Sequence, residues 1–264
     1  MATDRKSRLI MLFLANDRPS VERIATTLGT SLAIIQRDLI ELEKMGRIEQ
    51  RNGSAHIATG SRKALAFWER EQGRIDAKCT ISFAASQRTR PNERPFGDAG
   101  TAVLQLARCI RGMGSSIKIF TKGLVVAQEF AHVPSIELTL IGGRARIEKL
   151  STVGSAASSM MEELWCDCLF LGKKAIDVEE ELISLDAEEA AINAQMVRRS
   201  ARVTDFADSS KFGSRVTHSA EQLAIGHTPT SEAEPTGEFA KYIERSGVNF
   251  APAETEKSQQ VIHA

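Results

Sequence analysis

Five short stretches place cations or hydroxyls on backbone that turns tightly: Asp98-Ala99-Gly100-Thr101, Thr121-Lys122-Gly123, Gly142-Gly143-Arg144, Gly172-Lys173-Lys174 and Asp208-Ser209-Ser210-Lys211. Ammonium, guanidinium and hydroxyl groups, together with free backbone N–H groups at a glycine-containing helix start, are the donors that a phosphate needs. The chemistry this pattern fits is the binding of a small anionic ligand. The last stretch, within "ADSSKFG" at 207–213, has a second reading from its residues alone. Asp and Ser hydrogen-bond their own backbone in ordinary turns, and Gly213 accepts unusual dihedrals.

The elements around these stretches give them a common address. The pattern predicts strands at Ile117–Thr121, Glu137–Ile141, Cys168–Leu171 and Val203–Ala207, separated by helical stretches at 101–112, 124–132 and 187–200. Helices between successive strands imply a mainly parallel sheet, whose ligands bind beyond the carboxyl ends of the strands. Four of the cationic stretches follow those ends, and the Asp98 turn opens a helix. "EQLAIGHT", a helix from Gly237 to Arg245 and "GVNFA" complete the α/β domain, and 253–264 is expected to be a frayed tail.

A different chemistry is written into the first sixty residues. Ser20 is an N-cap for a helix carrying Val21, Ile24, Ala25 and Leu28, and Gly29 ends it. Ser31 or Thr30 caps a second helix with inner face Leu32, Ile35, Leu39, Leu42 and Met45, closed by Gly46. Leu9, Leu12 and Phe13 supply a third helix for the pair to pack on. "RIEQRNGSAHIA", 47–58, has an Asn52-Gly53 turn suited to a tight β-hairpin. Three helices and a basic hairpin make a winged helix-turn-helix, whose second motif helix enters the DNA major groove. Ser20, Ser31, Ala33, Ile34, Gln36 and Arg37 lie at or near the DNA, with Arg37 and Gln36 able to reach base edges or phosphates. Arg47 and Arg51 sit where a wing meets the backbone. The competing reading is a protein-interaction module with a solvated charged face.

Charge agrees with the first of these. The whole chain balances 34 Lys+Arg against 34 Asp+Glu, yet residues 1–63 hold eleven Lys/Arg and seven Asp/Glu, a surplus of four positive charges. Residues 1–60 form the expected DNA-binding domain, 61–96 a linker and irregular segment, and 97–252 the ligand and oligomerisation domain. Within 61–96, "SRKALAFWEREQGRIDAKCT" has the composition of a connecting helix, and the basic 86–94 reads as a solvated loop. No apolar run approaches a membrane span and the N-terminus has no signal-peptide core, so a cytoplasmic location is expected. Cys79, Cys109, Cys166 and Cys168 lack zinc-ligand spacing, and reduced, partly buried thiols are expected. No cofactor, metal or catalytic residue is assigned: Glu188 and Glu189 read as the acidic first turn of a helix, and His56, His218 and His227 fall in no recognisable constellation. Trp68 and Trp165 read as packing residues.

"SVERIATTLGTSLAIIQRDLIELEKMGRI" resembles the N-terminal domain of the DeoR family of bacterial transcriptional regulators, with Arg37-Asp38-Leu39 and Leu42-Glu43 matching its signature. "DAGTA", "LIGGRARIEKLSTVGS", "DCLFLGKKAID", "DAEEAAINAQM" and "FADSSKFGSR" resemble, in order, its effector domain. The resemblance implies a sugar-phosphate isomerase-like fold that senses phosphorylated sugars or related metabolites, which weaken DNA binding. Carried over by position, it marks Asp98, Gly100, Thr101, Thr121, Gly143, Arg144, Gly172, Glu189, Asp208, Ser210 and Lys211 as effector-binding. The rim pattern adds Lys122, Lys173 and Ser209.

The chain also departs from the family. Ile34 stands for a small hydroxyl residue and Gln36 for an arginine. Gly172-Lys173-Lys174-Ala175 stands for a Gly-Ala-Asp-Gly segment, Asn193 for a lysine, and Lys122-Gly123 for Asn-Ser. The charged "PNERPFG" occupies the place of a strand. The expected protein is a repressor of a carbohydrate operon, at least a dimer, with double-stranded operator DNA and a phosphorylated metabolite as partners. A sugar-phosphate enzyme with a DNA-binding appendage and a constitutive DNA binder are the alternatives.

Overall fold

The computed structural model describes residues 2–15, 20–51, 54–57, 67–173, 187–212 and 226–253. Gly213, His218, Lys174, the Asn52-Gly53 turn and the tail from 254 lie outside the described residues. The chain divides into two compact units, Met1–Trp68 and Glu69–Ala264.

The first unit contains helices α1 (Ala2–Ala15), α2 (Val21–Leu28) and α3 (Leu32–Lys44), followed by strands β1 (Ile48–Arg51) and β2 (Ser54–Ile57). Local chemistry sets these boundaries. The Ser20 hydroxyl accepts from the Arg23 N–H at 3.3 Å, and Gly29, at φ 62°, ends α2 in the left-handed conformation that glycine adopts without steric penalty. Ser31 caps α3 in the same way, accepting from the Ile34 N–H at 3.4 Å. β1 and β2 pair antiparallel with Ile48 opposite Ile57. Leu9, Phe13, Ile24, Ala25, Ile35, Leu39, Leu42 and Ile48 close a common core. Each fully buried large side chain among them contributes about 1.5–3 kcal/mol relative to exposure. The α3 stripe is narrower than its periodicity predicts. Leu32 and Met45 are 45% and 63% exposed, at the first residue and the C-cap of the helix. Asp38 takes part in the buried face instead, accepting from Arg5 Nε and Nη2 at 2.6 and 3.1 Å.

The second unit is built on a seven-stranded sheet with strand order β11-β10-β9-β8-β3-β4-β5, every neighbouring pair parallel. Its strands are β3 (Pro95–Gly97), β4 (Ile117–Thr121), β5 (Ile136–Leu140), β8 (Cys168–Gly172), β9 (Val203–Phe206), β10 (His227–Ser231) and β11 (Ala251–Pro252). The helices are α4 (Ile75–Ser86), α5 (Thr101–Met113), α6 (Leu124–Phe130), α7 (Ser155–Glu162), α8 (Ala187–Arg198) and α9 (Gly237–Ser246). A separate antiparallel ribbon pairs β6 (Arg144–Arg146) with β7 (Ser151–Val153).

Three expectations are corrected here. Residues 69–96 are part of the second unit rather than a linker: α4 packs on α5, with the Ser82 hydroxyl donating to the Ala102 carbonyl at 2.8 Å. Within the charged "PNERPFG", Pro95-Phe96-Gly97 forms a wholly buried strand between β8 and β4. A three-residue strand shows no alternation, and proline is tolerated at a strand's first position. Trp165, read as a packing residue, is instead 51% exposed, whereas Trp68 packs edge-on against the buried Phe67 with ring centroids 5.4 Å apart. The main core lies against the centre of the sheet, where Phe96, Leu169, Leu171 and Val203 meet Met161 of α7 and Ile192 and Met196 of α8.

Candidate functional site

The sheet fixes one site by its topology. From β3 the chain winds outward through β4 to β5, then returns to the opposite side of β3 to start β8. The order therefore reverses between β3 and β8, and in such sheets the crevice outside those two carboxyl ends is where ligands bind. The Asp98 turn follows β3 and Gly172 ends β8. A Cβ on Gly100 would lie 3.4 Å from the Gly172 Cα, and one on Gly172 would lie 3.6 Å from Asp98 Oδ2. The two turns therefore lie side by side, about one Cβ contact apart. Gly100 is the N-cap of the 13-residue α5 and gives it no side-chain cap, so the positive end of that helix faces the same crevice.

Several of the expected ligand groups turn out to be engaged by the protein itself. Thr121 is buried, its hydroxyl donating to the Gly97 carbonyl at 2.7 Å and accepting from the Gly123 N–H at 3.0 Å. That ties β4 to β3. A Cβ on Gly123 would approach the Ala99 Cα to 3.0 Å, so the two turns touch. The Lys122 side chain is only 1% exposed; its ammonium pairs with Asp98 Oδ1 at 3.1 Å and donates to Asn193 Oδ1. Lys122 and Asn193, two departures from the family pattern at distant sequence positions, are thus a contact pair.

The remaining rim residues are distributed as follows. The Lys173 ammonium lies 3.3 Å from Asp205 Oδ1, and His227 Nδ1 lies 2.7 Å from Asp205 Oδ2. Burial alone would push the Asp205 carboxyl up, but the charge of Lys173 and the bond to His227 hold it below its ordinary value. This buried cluster was not foreseen from the sequence, since its members lie on three strands or strand ends. Gly143, at φ 134°, starts the β6–β7 ribbon, and a Cβ there would fall 2.6 Å from the Val153 carbonyl oxygen. The ribbon aims Arg144 at Glu188, and Arg146 and Lys149 at Glu189, both in the first turn of α8. Asp208 accepts from the Ser210 N–H at 3.2 Å and pairs with Arg74 Nε at 3.2 Å. The Ser209 hydroxyl donates to Glu232 Oε1 at 2.7 Å. Among the described residues the Lys211 ammonium has no ion-pair partner, unlike those of Lys122 and Lys173.

The first unit presents another surface. Ala33, Ile34, Gln36 and Arg37 of α3 are exposed, as is Arg47; the hydroxyls of Ser20 and Ser31 are engaged in capping, and the Arg51 side chain lies outside the described residues. Ile40 and Lys44 are exposed on the same side of α3 and were missed, because periodicity assigns the buried stripe and leaves the outer one unmarked.

No group of three or more His, Cys, Asp or Glu suited to a metal ion occurs among the described residues, and no described helix is long and apolar enough to cross a membrane. Cys79, Cys109, Cys166 and Cys168 are free thiols. Burial pushes Cys109 up to about 11 and Cys166 and Cys168 up to about 12, so none is a poised nucleophile.

In chain order, three helices and a β-ribbon precede the seven-stranded parallel sheet. The model of the DeoR C-terminal sensor domain matches residues 74–226. The chain is 34% identical over 215 residues to the HTH-type transcriptional regulator GlpR of Haloferax volcanii, covering 81% of this chain and 84% of that one. It is 26% identical to the HTH-type transcriptional regulator GolR of Listeria innocua (80% and 82% covered) and 27% identical to a putative aga operon transcriptional repressor of Escherichia coli O157:H7 (82% and 81% covered). The chain belongs to the DeoR family of transcriptional regulators.

Proposed function

We propose that this regulator is a repressor of a carbohydrate-utilisation operon, whose first unit is a winged helix-turn-helix and whose second unit binds a phosphorylated sugar or a related metabolite. The observation that carries the reading is the pairing of regulator relatives over four fifths of the chain with an exposed, cation-bearing outer face on α3. In the DNA-bound form α3 lies in the major groove, Gln36 and Arg37 face base edges, and the β1–β2 ribbon with Arg47 and Arg51 meets the backbone. A cytoplasmic homodimer is the minimum assembly, because two-fold symmetry places two such helices on half-sites whole turns apart.

The effector enters the crevice between β3 and β8. Its anionic group meets the α5 N-terminus at Gly100 and Thr101, and the Lys211 ammonium approaches from beyond β9. Asp98, Lys122, Thr121 and Gly143 shape the floor and walls; Arg144 and Lys173 exchange an internal carboxylate for the ligand. Gly172 leaves room, and Glu189, Asp208, Ser209 and Ser210 hold the surrounding turns. Ligand relieves repression by preferring the conformation or assembly that binds DNA less well.

The test is binding of the purified protein to DNA upstream of its own gene against random competitor, repeated with a panel of sugar phosphates. Specific binding released by one compound is expected. Binding indifferent to every metabolite would make the chain a constitutive DNA binder, and turnover of a sugar phosphate would make it an enzyme.

A further inference from the structure

The buried stripe of α3 is Ile35, Asp38, Leu39 and Leu42. At about 100° per residue, the line opposite it runs through Ala33, Arg37, Ile40 and Lys44, with Gln36 at its edge. All five are exposed. Ile40 is the anomaly: a large apolar side chain, 49% exposed, midway along the outermost line of the helix and bracketed one turn on either side by cations. Nothing in the core of the first unit requires it, since the core is closed by the opposite face.

The flanking charges select its partner. An isoleucine between Arg37 and Lys44, in a segment with a surplus of positive charge, fits a groove walled by phosphates. The apolar group that the major-groove edge offers is the thymine 5-methyl. A β-branched side chain is stiff at χ1 in a helix, so Ile40 presents a fixed apolar knob rather than a flexible arm. Gln36 lies one turn before it, and its amide matches the N6 and N7 atoms of adenine.

Resting on the DNA-binding reading above, we infer that Ile40 is a specificity-determining residue that reads a thymine methyl, beside Gln36 reading adenine, and that the operator half-site carries A·T pairs under the second and third turns of α3.

The experiment is selection of bound duplexes from a randomised pool with the full-length protein, followed by replacement of each thymine of the enriched half-site with deoxyuridine, which removes only the methyl. Loss of one buried methyl corresponds to about 0.8 kcal/mol, so affinity should fall about fourfold at one position. In Ile40→Ala that penalty should vanish while the unmodified site binds about fourfold more weakly, with the unfolding midpoint of the variant unchanged. Indifference to deoxyuridine everywhere, or a penalty that persists in Ile40→Ala, would overturn the inference and leave DNA binding intact. A pool without enrichment would remove the DNA-binding reading and the inference together. If Ile40→Ala leaves selection unaltered and lowers the oligomer mass in sedimentation, the side chain covers a second copy of this chain instead.

Discussion

At the scale of single residues, lysines that look alike in the sequence have opposite environments. Lys122 is enclosed, balancing the Asp98 carboxylate at 3.1 Å, whereas Lys211 has no ion-pair partner among the described residues. Removing one partner of a buried ion pair strands the other charge at a cost of about 3–5 kcal/mol. Lys122→Ala should therefore lower stability by about that amount in denaturant titration; an unaltered midpoint would show that Asp98 has another counter-charge. Lys211→Ala should leave stability unaltered and weaken binding of the phosphorylated effector roughly tenfold, the value of one charge-assisted hydrogen bond. Calorimetry with the effector checks this, and unchanged affinity would take Lys211 out of the site. Both lysines follow strand-like runs in the sequence. Only their packing separates the ion-paired Lys122 from Lys211.

At the scale of elements, the β6–β7 ribbon and α8 position the charges around the crevice. Gly143 makes the ribbon possible, because its φ of 134° and the 2.6 Å approach of a would-be Cβ to the Val153 carbonyl both exclude a side chain. Gly143→Ala should destabilise the second unit by about 3 kcal/mol and misplace Arg144, seen as a lower denaturation midpoint together with weakened effector binding. Wild-type stability would mean that the ribbon relaxes without loss. The helices of the first unit, and α5, α6, α8 and α9 of the second, were legible from stripes and caps, as with Ser20, Gly29 and Ser31, whereas α4 and α7 were not. β3 was not, since a buried Pro-Phe-Gly has neither alternation nor length. Nor was the ribbon, whose "RAR" and "STV" strands are three residues each.

At the scale of the whole molecule, buried and half-buried carboxylates link stability to pH. Burial alone would raise Glu71, Asp205 and Glu232, but Arg108, Lys173 with His227, and the Ser209 and Ser231 donors respectively hold all three below their ordinary values. A depressed carboxylate contributes stability above its unfolded pKa of about 4 and loses that contribution as pH falls through its folded value. The thermal midpoint should therefore be insensitive to these groups from pH 7 to about 5, and should drop below about pH 4. A midpoint held down to pH 2 would show that these groups do not anchor the second unit.

The sequence by itself determined the family, most of the alternation of helix and strand, and the polar loops that follow the strands of a parallel sheet. Those properties are carried by local spacing, capping residues and motifs only a few residues long. Tertiary structure decided which of the gathered charges are paired within the protein. Lys122 meets Asn193 across 71 residues, and His227 meets Asp205 across 22. Such pairs form only when strand order brings distant segments together, and burial then turns a rim charge into an internal one.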